Sequence, residues 1–170
     1  RSRISGPTRF QEHHKLSYSR SLRVLIIEDE ADVIGAYKTA FALLRSEEGF
    51  ELIDPVVAGG VTDAIAKLST DSPFHVVVLD LKLPEAAGGD AEAYGGSGLE
   101  LLDAIIGRDN YPVPVLLILT GQPAYIQNYG GLSDRLQRSF YKGFVMKKGL
   151  DPRDHFRTAL EAAQRYIDFG

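Results

Sequence analysis

The sequence predicts an α/β fold in which helices cover both faces of one parallel β-sheet. From Leu22 onward, short apolar runs typical of strands alternate with helical patterns five times. The central runs are apolar throughout, which is typical of strands buried on both faces. Strands joined by helices favour parallel pairing with right-handed crossovers. We therefore expect a doubly wound (βα)5 domain, a three-layer sandwich around a five-stranded sheet.

The first strand and helix are predicted directly after Leu22. Residues 23–27 (RVLII) form a compact apolar run. Apolar residues then recur at i, i+3, i+7 and i+10, which indicates one buried helix face, and Gly49 can end this helix. The apolar positions are Ile34, Tyr37, Phe41 and Leu44.

The second and third strands are predicted on either side of a short helix. Residues 51–58 (ELIDPVVA) form the second strand. Pro55 favours an edge position because proline donates no hydrogen bond to a neighbouring strand. Residues 61–69 (VTDAIAKLS) form the helix, with Thr62 as its N-cap. Residues 75–79 (HVVVL) form the third strand.

The second half of the domain completes the alternation. An S-x-x-E capping box, Ser97 and Glu100, opens the third helix. Residues 114–120 (PVLLILT) and 143–146 (GFVM) are the fourth and fifth strands, separated by a fourth helix that Gly130-Gly131 shortens or breaks.

The last helix is predicted to begin with Asp151 as its cap and Pro152 in its first turn. Its apolar face comprises Phe156, Leu160, Ala163 and Ile167. This spacing indicates a helix that packs one side against the sheet.

Two segments differ from this pattern. Residues 1–21 contain five arginine or lysine residues and one acidic residue without apolar periodicity, so we interpret them as a flexible arm or linker before a domain at 22–170. A basic arm that docks on a partner is the alternative interpretation. Residues 85–97 are acidic and glycine-rich, which predicts an extended loop between the third strand and third helix.

Composition excludes several classes of function. The 170 residues include no cysteine, so disulfides, thiolate metal sites and a cysteine nucleophile are excluded. The net charge of -4 favours neither nucleic acid nor an anionic membrane as a partner. The chain contains no apolar run long enough to span a membrane and no apolar signal core. We expect a cytoplasmic protein.

Polar residues follow the ends of four predicted strands. Ligands of open α/β sheets bind beyond the carboxyl ends of the strands, so these residues are expected to converge there. Carboxylates suit Mg²⁺, and a hydroxyl, an ammonium group and a backbone N–H suit a tetrahedral anion. Asp80 is then a candidate nucleophile toward a phosphoryl group. The residues are Glu28, Asp29, Glu30, Asp80, Thr120, Gly121, Lys147 and Lys148.

Four motifs in this order resemble the receiver domain of two-component response regulators, the CheY-like superfamily. They are RVLIIEDE, VVVLDLKLP, PVLLILTG and GFVMKK. The resemblance covers roughly residues 22–168. It implies a flavodoxin-like sheet with the strand order 2-1-3-4-5.

The resemblance also implies the roles of the acidic residues. Asp80 matches the phosphorylated aspartate. Asp29 matches a direct Mg²⁺ ligand, and Glu28 matches its acidic partner, which often acts through water. The backbone carbonyl of Lys82 would be the third protein ligand, after Asp80 and Asp29.

Three further positions match the family's switch and phosphate-contacting residues. Thr120 matches the switch hydroxyl that moves to the phosphoryl group, and Phe144 matches the aromatic residue that rotates with it. Lys147 matches the lysine that contacts the phosphate.

The chain departs from the family pattern near this site. The loop at 85–97 and the segment from Thr120 to Lys147 are both longer than usual. Lys148 stands where the family usually has proline, so the expected cis peptide is either absent or costly.

The function implied by the resemblance is a phosphoacceptor switch rather than a turnover enzyme. A histidine kinase or phosphotransfer protein would donate the phosphoryl group to Asp80 with Mg²⁺, and the domain would catalyse only its own phosphorylation and dephosphorylation. The fourth helix, fifth strand and last helix would form a face for an output domain or a homodimer. The switch would act through two packings of that face.

Three other functions remain to be weighed. A receiver-like interaction module that never accepts phosphate is the main alternative. A phosphatase of the haloacid-dehalogenase type is disfavoured because Lys82 stands where that family has a second aspartate. A nucleotide-binding fold is disfavoured because no G-x-G-x-x-G follows the first strand.

Overall fold

The computed structural model describes eight parts of the chain. For Thr120 and residues 141–146 and 168–169 it describes the backbone alone. The described parts are residues 21–69, 73–84, 98, 101–102, 105, 114–120, 141–146 and 151–169.

From Val24 to Leu79 the described elements alternate between strands and helices, as predicted. The strands are β1 (Val24–Ile27), β2 (Val56–Ala58), β3 (Val76–Leu79), β4 (Val115–Thr120) and β5 (Tyr141–Met146). The helices with described bounds are α1 (Ala31–Glu48), α2 (Val61–Leu68) and α3 (Arg153–Phe169).

The strands form one parallel sheet in the order β2-β1-β3-β4-β5. In the register at its centre, Ile27 of β1 lies beside Leu79 of β3, and Leu79 lies beside Ile118 of β4. The prediction of a parallel α/β sheet is confirmed. Because β1 and β3 are neighbours in register, the residues that follow them reach the same edge of the sheet.

The second strand is shorter than predicted. It begins at Val56, after Pro55, and the earlier Leu52 forms only an isolated bridge to Leu22. Proline lacks the N–H that would extend the ladder, which accounts for this break. Among the described strands β2 lies at an edge, as Pro55 predicted.

Two apolar clusters lie on opposite faces of the sheet, because successive side chains of a strand point in opposite directions. On one face, Leu25, Ile27, Val77 and Leu79 pack with residues of α2. On the other, Val24, Ile26, Val76 and Val78 pack with residues of α1 and α3. Helices therefore lie on both faces.

Aromatic contacts join α1 to α3. Phe156 is fully buried, with its ring stacked on Phe41 at a centroid distance of 4.3 Å. Tyr37 contacts the same ring edge-on at 5.3 Å. The predicted helix faces are confirmed, with Ile34 and Ile167 half-buried.

The helix ends agree with the predictions in two of three cases. Gly49 ends α1 with φ 75°, a left-handed conformation that favours glycine. The carboxylate of Asp151 accepts a hydrogen bond from the Arg153 backbone N–H at 3.0 Å, as a cap does. The prediction for α2 was wrong: its N-cap is Gly60, and Thr62 lies within the first turn.

Several predictions lie outside the described residues. These are the arm before residue 21, the loop at 85–97, the capping box of Ser97 and Glu100, and the fourth helix. None of the described helices combines the length and the apolar character needed to cross a membrane.

Candidate functional site

The register of β1 and β3 places two acidic residues side by side at the carboxyl edge of the sheet. Glu28 and Asp80 each follow the last residue of a strand, and those two residues, Ile27 and Leu79, are paired. The Asp80 backbone N–H donates to the Ile27 carbonyl at 2.9 Å, so the pairing continues to Asp80 itself. The sheet therefore fixes both backbones at the site.

Both side chains are buried although both are acidic. Glu28 is 1% exposed and Asp80 is 4% exposed, and these are the buried polar side chains among the described residues. An exposed residue, Glu30, joins them: one carboxylate oxygen from each of the three lies within 4.8 Å of the others. The site is thus a cluster of three carboxylates that opens to solvent at Glu30.

Backbone N–H groups orient the two buried carboxylates. Glu28 Oε1 accepts hydrogen bonds from the backbone N–H groups of Asp29 and Glu30, at 3.0 and 3.1 Å. Asp80 Oδ1 accepts one from the backbone N–H of Lys82 at 3.2 Å. Charge-assisted bonds of this kind stabilise the ionised forms.

The cluster has the chemistry of a divalent-cation site. At 4.8 Å two unit charges repel by about 3.5 kcal/mol at an effective dielectric constant of about 20. This applies to the buried pair Glu28 and Asp80, whereas solvent screens the two pairs that include the exposed Glu30. A cation between them turns repulsion into attraction, and hard oxygen donors suit Mg²⁺. These residues therefore fit a magnesium ion.

The backbone after Asp80 is held by the apolar core and by a glycine. Leu81 and Leu83 are buried with Leu101 and Leu102 in the cluster that packs with α2. The helical residue Gly98 lies against this backbone: a Cβ at that position would be 2.5 Å from the Leu81 Cα and carbonyl oxygen and 2.7 Å from the Asp80 carbonyl oxygen. A side chain at position 98 would therefore displace the loop that bears Asp80.

The structure brings together only part of the predicted ligand set. Glu28 and Asp80 are confirmed as neighbours, with Glu30 as the third member of the group. Asp29, predicted as a direct ligand, is half-buried and is not a member of that group. The half-buried Lys82 contributes the N–H already described, and its carbonyl as a ligand stays a prediction.

The remaining predicted residues lie on the neighbouring strands or beyond them. The backbone of Thr120 ends β4, two residues past the partner of Leu79, and so lies at the same edge as Asp80. Phe144 belongs to β5 and pairs with Ile118. The side chains of Thr120 and Phe144 lie outside the described structure, as do Gly121, Lys147 and Lys148 entirely, so their roles stay predictions.

The sequence placed Glu30 among the residues that follow the first strand but gave it no specific role, and it did not single out Gly98. The signal available for Glu30 was its spacing of two residues from Glu28, since side chains two residues apart share a side wherever the backbone is extended. Gly98 follows the predicted loop, but only the packing of the helix shows that its lack of a side chain is needed.

A groove of about 260 Å³ lies away from this site, between α1 and the segment before β2. Lys38, Phe41 and Arg45 contribute from α1, and residues 52–55 form the other wall. Arg45 contacts Asp54 there at 2.6 Å. These residues precede β2, so the groove lies toward the opposite edge of the sheet from Asp80.

No protein-family model matches the chain, and no curated protein sequence matches it. The structure, however, is similar to solved response regulator structures. A CheY-like receiver domain from Methylobacillus flagellatus aligns with a TM-score of 0.56 and 18% identity, over 84% of this chain and 98% of that one. The N-terminal domain of a response regulator/sensory box/GGDEF 3-domain protein from Carboxydothermus hydrogenoformans aligns with a TM-score of 0.54 and 18% identity, over 86% and 96%.

A sensor protein from Polaromonas sp. JS666 aligns with a TM-score of 0.58 and 17% identity, over 86% of this chain and 98% of that one. Identities this low establish likeness of fold. The chain therefore has the fold of CheY-like response regulator receiver domains, as the four sequence motifs predicted.

Proposed function

We propose that the protein is a phosphoacceptor receiver in which Asp80 takes a phosphoryl group from a histidine on a partner protein. The observation that carries this proposal is the burial of Asp80, 4% exposed, beside a second buried carboxylate at the carboxyl edge of the sheet. Burying two like charges side by side is costly unless a cation lies between them. The buried pair is therefore expected to serve a reaction that uses a metal ion.

Asp80 is the nucleophile of the proposed reaction. One of its carboxylate oxygens forms a bond to phosphorus, the bond from phosphorus to the donor's imidazole nitrogen breaks, and the electron pair leaves with that nitrogen. The product is an acyl phosphate on Asp80. The Lys82 N–H holds Oδ1 and so limits rotation of the carboxylate during the attack.

A bound Mg²⁺ would supply positive charge that offsets the carboxylates and the developing charge on the phosphoryl oxygens. Glu28, Asp80 and a third carboxylate would hold it. The two N–H groups on Glu28 Oε1 keep that side chain in place without help from the ion. The carboxylates that would bind the ion are therefore already oriented by the protein before the ion binds.

The switch that follows phosphorylation is assigned by resemblance. Thr120 would approach the new phosphoryl group through its hydroxyl, Lys147 would contact it, and Phe144 would rotate with Thr120. Their strands support this assignment, because β4 and β5 are paired and Thr120 lies beside Met146, the residue before Lys147. The face near β5 and α3 would then meet an output domain or a second copy of the chain.

The proposal is tested by the intact mass of the protein after incubation with acetyl phosphate and Mg²⁺. We expect the wild type to gain the mass of one phosphoryl group and Asp80→Asn to gain none. Asp54→Asn is the matched control, because Asp54 is an exposed aspartate whose ion pair with Arg45 lies toward the other edge of the sheet. This control is expected to gain the phosphoryl group, and chelation of Mg²⁺ is expected to prevent the gain.

The outcomes separate the proposal from its main alternative. A phosphoryl group that also appears on Asp80→Asn would place the acceptor elsewhere and refute the assignment. A folded wild type that binds Mg²⁺ but gains no mass, from acetyl phosphate or from a phosphorylated histidine protein, would instead favour an interaction module that never accepts phosphate.

A further inference from the structure

The turn that follows Asp80 is hydrogen-bonded to the first residue of α2. The backbone N–H of Val61 donates to the Pro84 carbonyl oxygen at 3.1 Å. The N-cap of this helix is Gly60, which has no side chain to cap the first turn. The Pro84 carbonyl therefore accepts from one of the N–H groups that a helix leaves without an acceptor of its own. A segment that follows β3 thus caps the helix that precedes β3.

Apolar packing joins the same two segments. Val61 is buried in one cluster with Leu81 and Leu83, the apolar residues of the turn. Pro84 is buried as well, so its carbonyl needs a hydrogen bond from the protein, and Val61 supplies it. The turn is therefore held at the place where α2 presents this N–H group.

The helix is itself fixed to the sheet near its other end. Lys67 donates from Nζ to the Val57 carbonyl oxygen of β2 and to Asp63 Oδ2, both at 2.6 Å. The next carbonyl of β2, that of Ala58, accepts from the Glu28 N–H at 3.0 Å, so β2 is joined to the end of β1. The first N–H group of α2 therefore has a fixed position relative to the sheet.

Few residues separate this bond from the acceptor carboxylate. Pro84 lies four residues after Asp80, and the φ angle of proline is fixed by its ring. Between them lies Lys82, whose N–H donates to Asp80 Oδ1 at 3.2 Å. Displacement of Pro84 would therefore move the Lys82 N–H group and allow the carboxylate to rotate.

We infer that Val61 is a positioning residue for the reaction at Asp80 and that it acts through its backbone N–H group. The inference rests on the proposed function, which makes Asp80 the acceptor. Val61 acts through the turn rather than on the reacting atoms: it holds Pro84, and the turn then holds the Lys82 N–H against Asp80. Phosphoryl transfer therefore depends on α2, a helix that contributes none of the three clustered carboxylates.

The variant Val61→Pro removes this N–H group without opposing the helix. Proline is favoured at the first position of a helix, and the residue before it, Gly60, has the extended conformation that suits a following proline. The ring carbon bonded to nitrogen replaces the hydrogen, so it also pushes the Pro84 carbonyl away. Val61→Ala is the matched control, because it shortens the side chain but keeps the N–H group.

Amide hydrogen exchange measured by NMR reports on the turn without any phosphorylation. We expect the Lys82 amide to exchange about fivefold faster or more in Val61→Pro than in Val61→Ala, because the turn opens more readily once the bond is lost. The reference is the Ile53 amide, which donates to the Leu22 carbonyl at 3.0 Å toward the opposite edge of the sheet. Its exchange is expected to be the same in both variants.

The rate of phosphorylation is the second readout. With Mg²⁺ and saturating acetyl phosphate, Val61→Pro is expected to gain the phosphoryl group about tenfold more slowly than Val61→Ala. The half-saturating concentration of acetyl phosphate is expected to change little, because the variant misorients the acceptor and leaves the binding of the donor intact. Val61→Ala is expected to react at nearly the wild-type rate.

The wild type provides a measurement that needs no variant. Its Val61 amide is expected to exchange at least about tenfold more slowly than an amide of an unstructured peptide, and exchange at the unstructured rate would overturn the inference. If Val61→Pro does not fold, an ester in place of the Gly60–Val61 amide removes the same hydrogen while keeping the valine side chain, and the same two readouts apply.

Three further results would overturn the inference. The first is equal Lys82 exchange in Val61→Pro and Val61→Ala. The second is equal acceleration at Lys82 and Ile53, which would indicate general destabilisation. The third is faster Lys82 exchange in Val61→Pro with an unchanged phosphorylation rate.

The two readouts separate this inference from the proposed function. If the wild type is phosphorylated at Asp80 but Val61→Pro matches Val61→Ala in exchange and rate, the inference fails and the function stands. If Lys82 exchange depends on the Val61 N–H but the wild type never gains a phosphoryl group, α2 holds the turn as inferred and the proposed function fails.

Discussion

Replacing Gly98 with alanine is expected to destabilise the fold and to displace Asp80. The added Cβ would lie 2.5 Å from two backbone atoms of Leu81 and 2.7 Å from the Asp80 carbonyl oxygen. An ordinary van der Waals contact begins near 3.4 Å, so the backbones must separate by about 0.9 Å. Because these three neighbours are all backbone atoms, no side-chain rotation can relieve the contact.

The expected cost follows from that displacement. Overpacking of this kind typically lowers the free energy of unfolding by about 1–3 kcal/mol. A misplacement near 1 Å at a reacting group can slow a reaction by roughly 100-fold. Gly98→Ala is therefore expected to unfold at lower urea concentration and to accept phosphate from acetyl phosphate more slowly.

Gly35→Ala is the matched control for this experiment. Gly35 lies in the exposed part of α1, and a Cβ there would have no atom within 4 Å. Alanine in a helix interior is favoured over glycine by about 0.5–1 kcal/mol, so this variant should be slightly more stable than the wild type. If Gly98→Ala proves as stable as Gly35→Ala and reacts at the wild-type rate, the close approach at Asp80 does not constrain the site.

Two further predictions concern the packing of α3 on α1. Phe156→Ala should lower the free energy of unfolding by about 3–5 kcal/mol because the ring is fully buried against Phe41, whereas Tyr166→Ala, at a residue 50% exposed, should change urea denaturation little. The second prediction concerns pH: the Arg157 guanidinium hydrogen-bonds to Glu48 and holds the pKa of that carboxyl below its ordinary value of 4.5. A lowered folded-state pKa means that the unfolded state binds more protons, so this stabilisation is present above about pH 4.5 and is lost as pH falls through the folded pKa. Unfolding free energies measured from pH 7 to pH 3 should show Glu48→Gln less stable than the wild type at pH 7 and converging with it in acid; an unchanged difference would contradict this.

The fold was largely predictable because its signals are local. Apolar runs and helical periodicity located each described strand and helix, and Gly49 and Asp151 marked helix ends through their own conformations and hydrogen bonds. The two errors also have local causes. Pro55 shortened the second strand, and Gly60 rather than Thr62 begins the helix after it.

The site was predictable in position but not in composition. Acidic residues at strand ends indicated where Glu28 and Asp80 meet, because parallel strands present their carboxyl ends at one edge. The reach of each side chain depends on the turn around the Glu28 carboxylate, whose two hydrogen bonds no pattern reveals. Position alone therefore did not separate Glu30 from Asp29 as the third carboxylate.

The order of apolar and polar residues by itself determined the layered α/β architecture and the edge at which chemistry is expected. It did so because an apolar run that is buried on both faces and the acidic residue that ends it are adjacent in the sequence, so both can be recognised locally. Only the tertiary structure decided that Gly98 must lack a side chain and that Glu30 joins the two buried carboxylates. The first depends on the distance between Gly98 and the backbone after Asp80, and the second on the hydrogen bonds that turn the chain around the Glu28 carboxylate. These distances and bonds arise only when the sheet and helices pack.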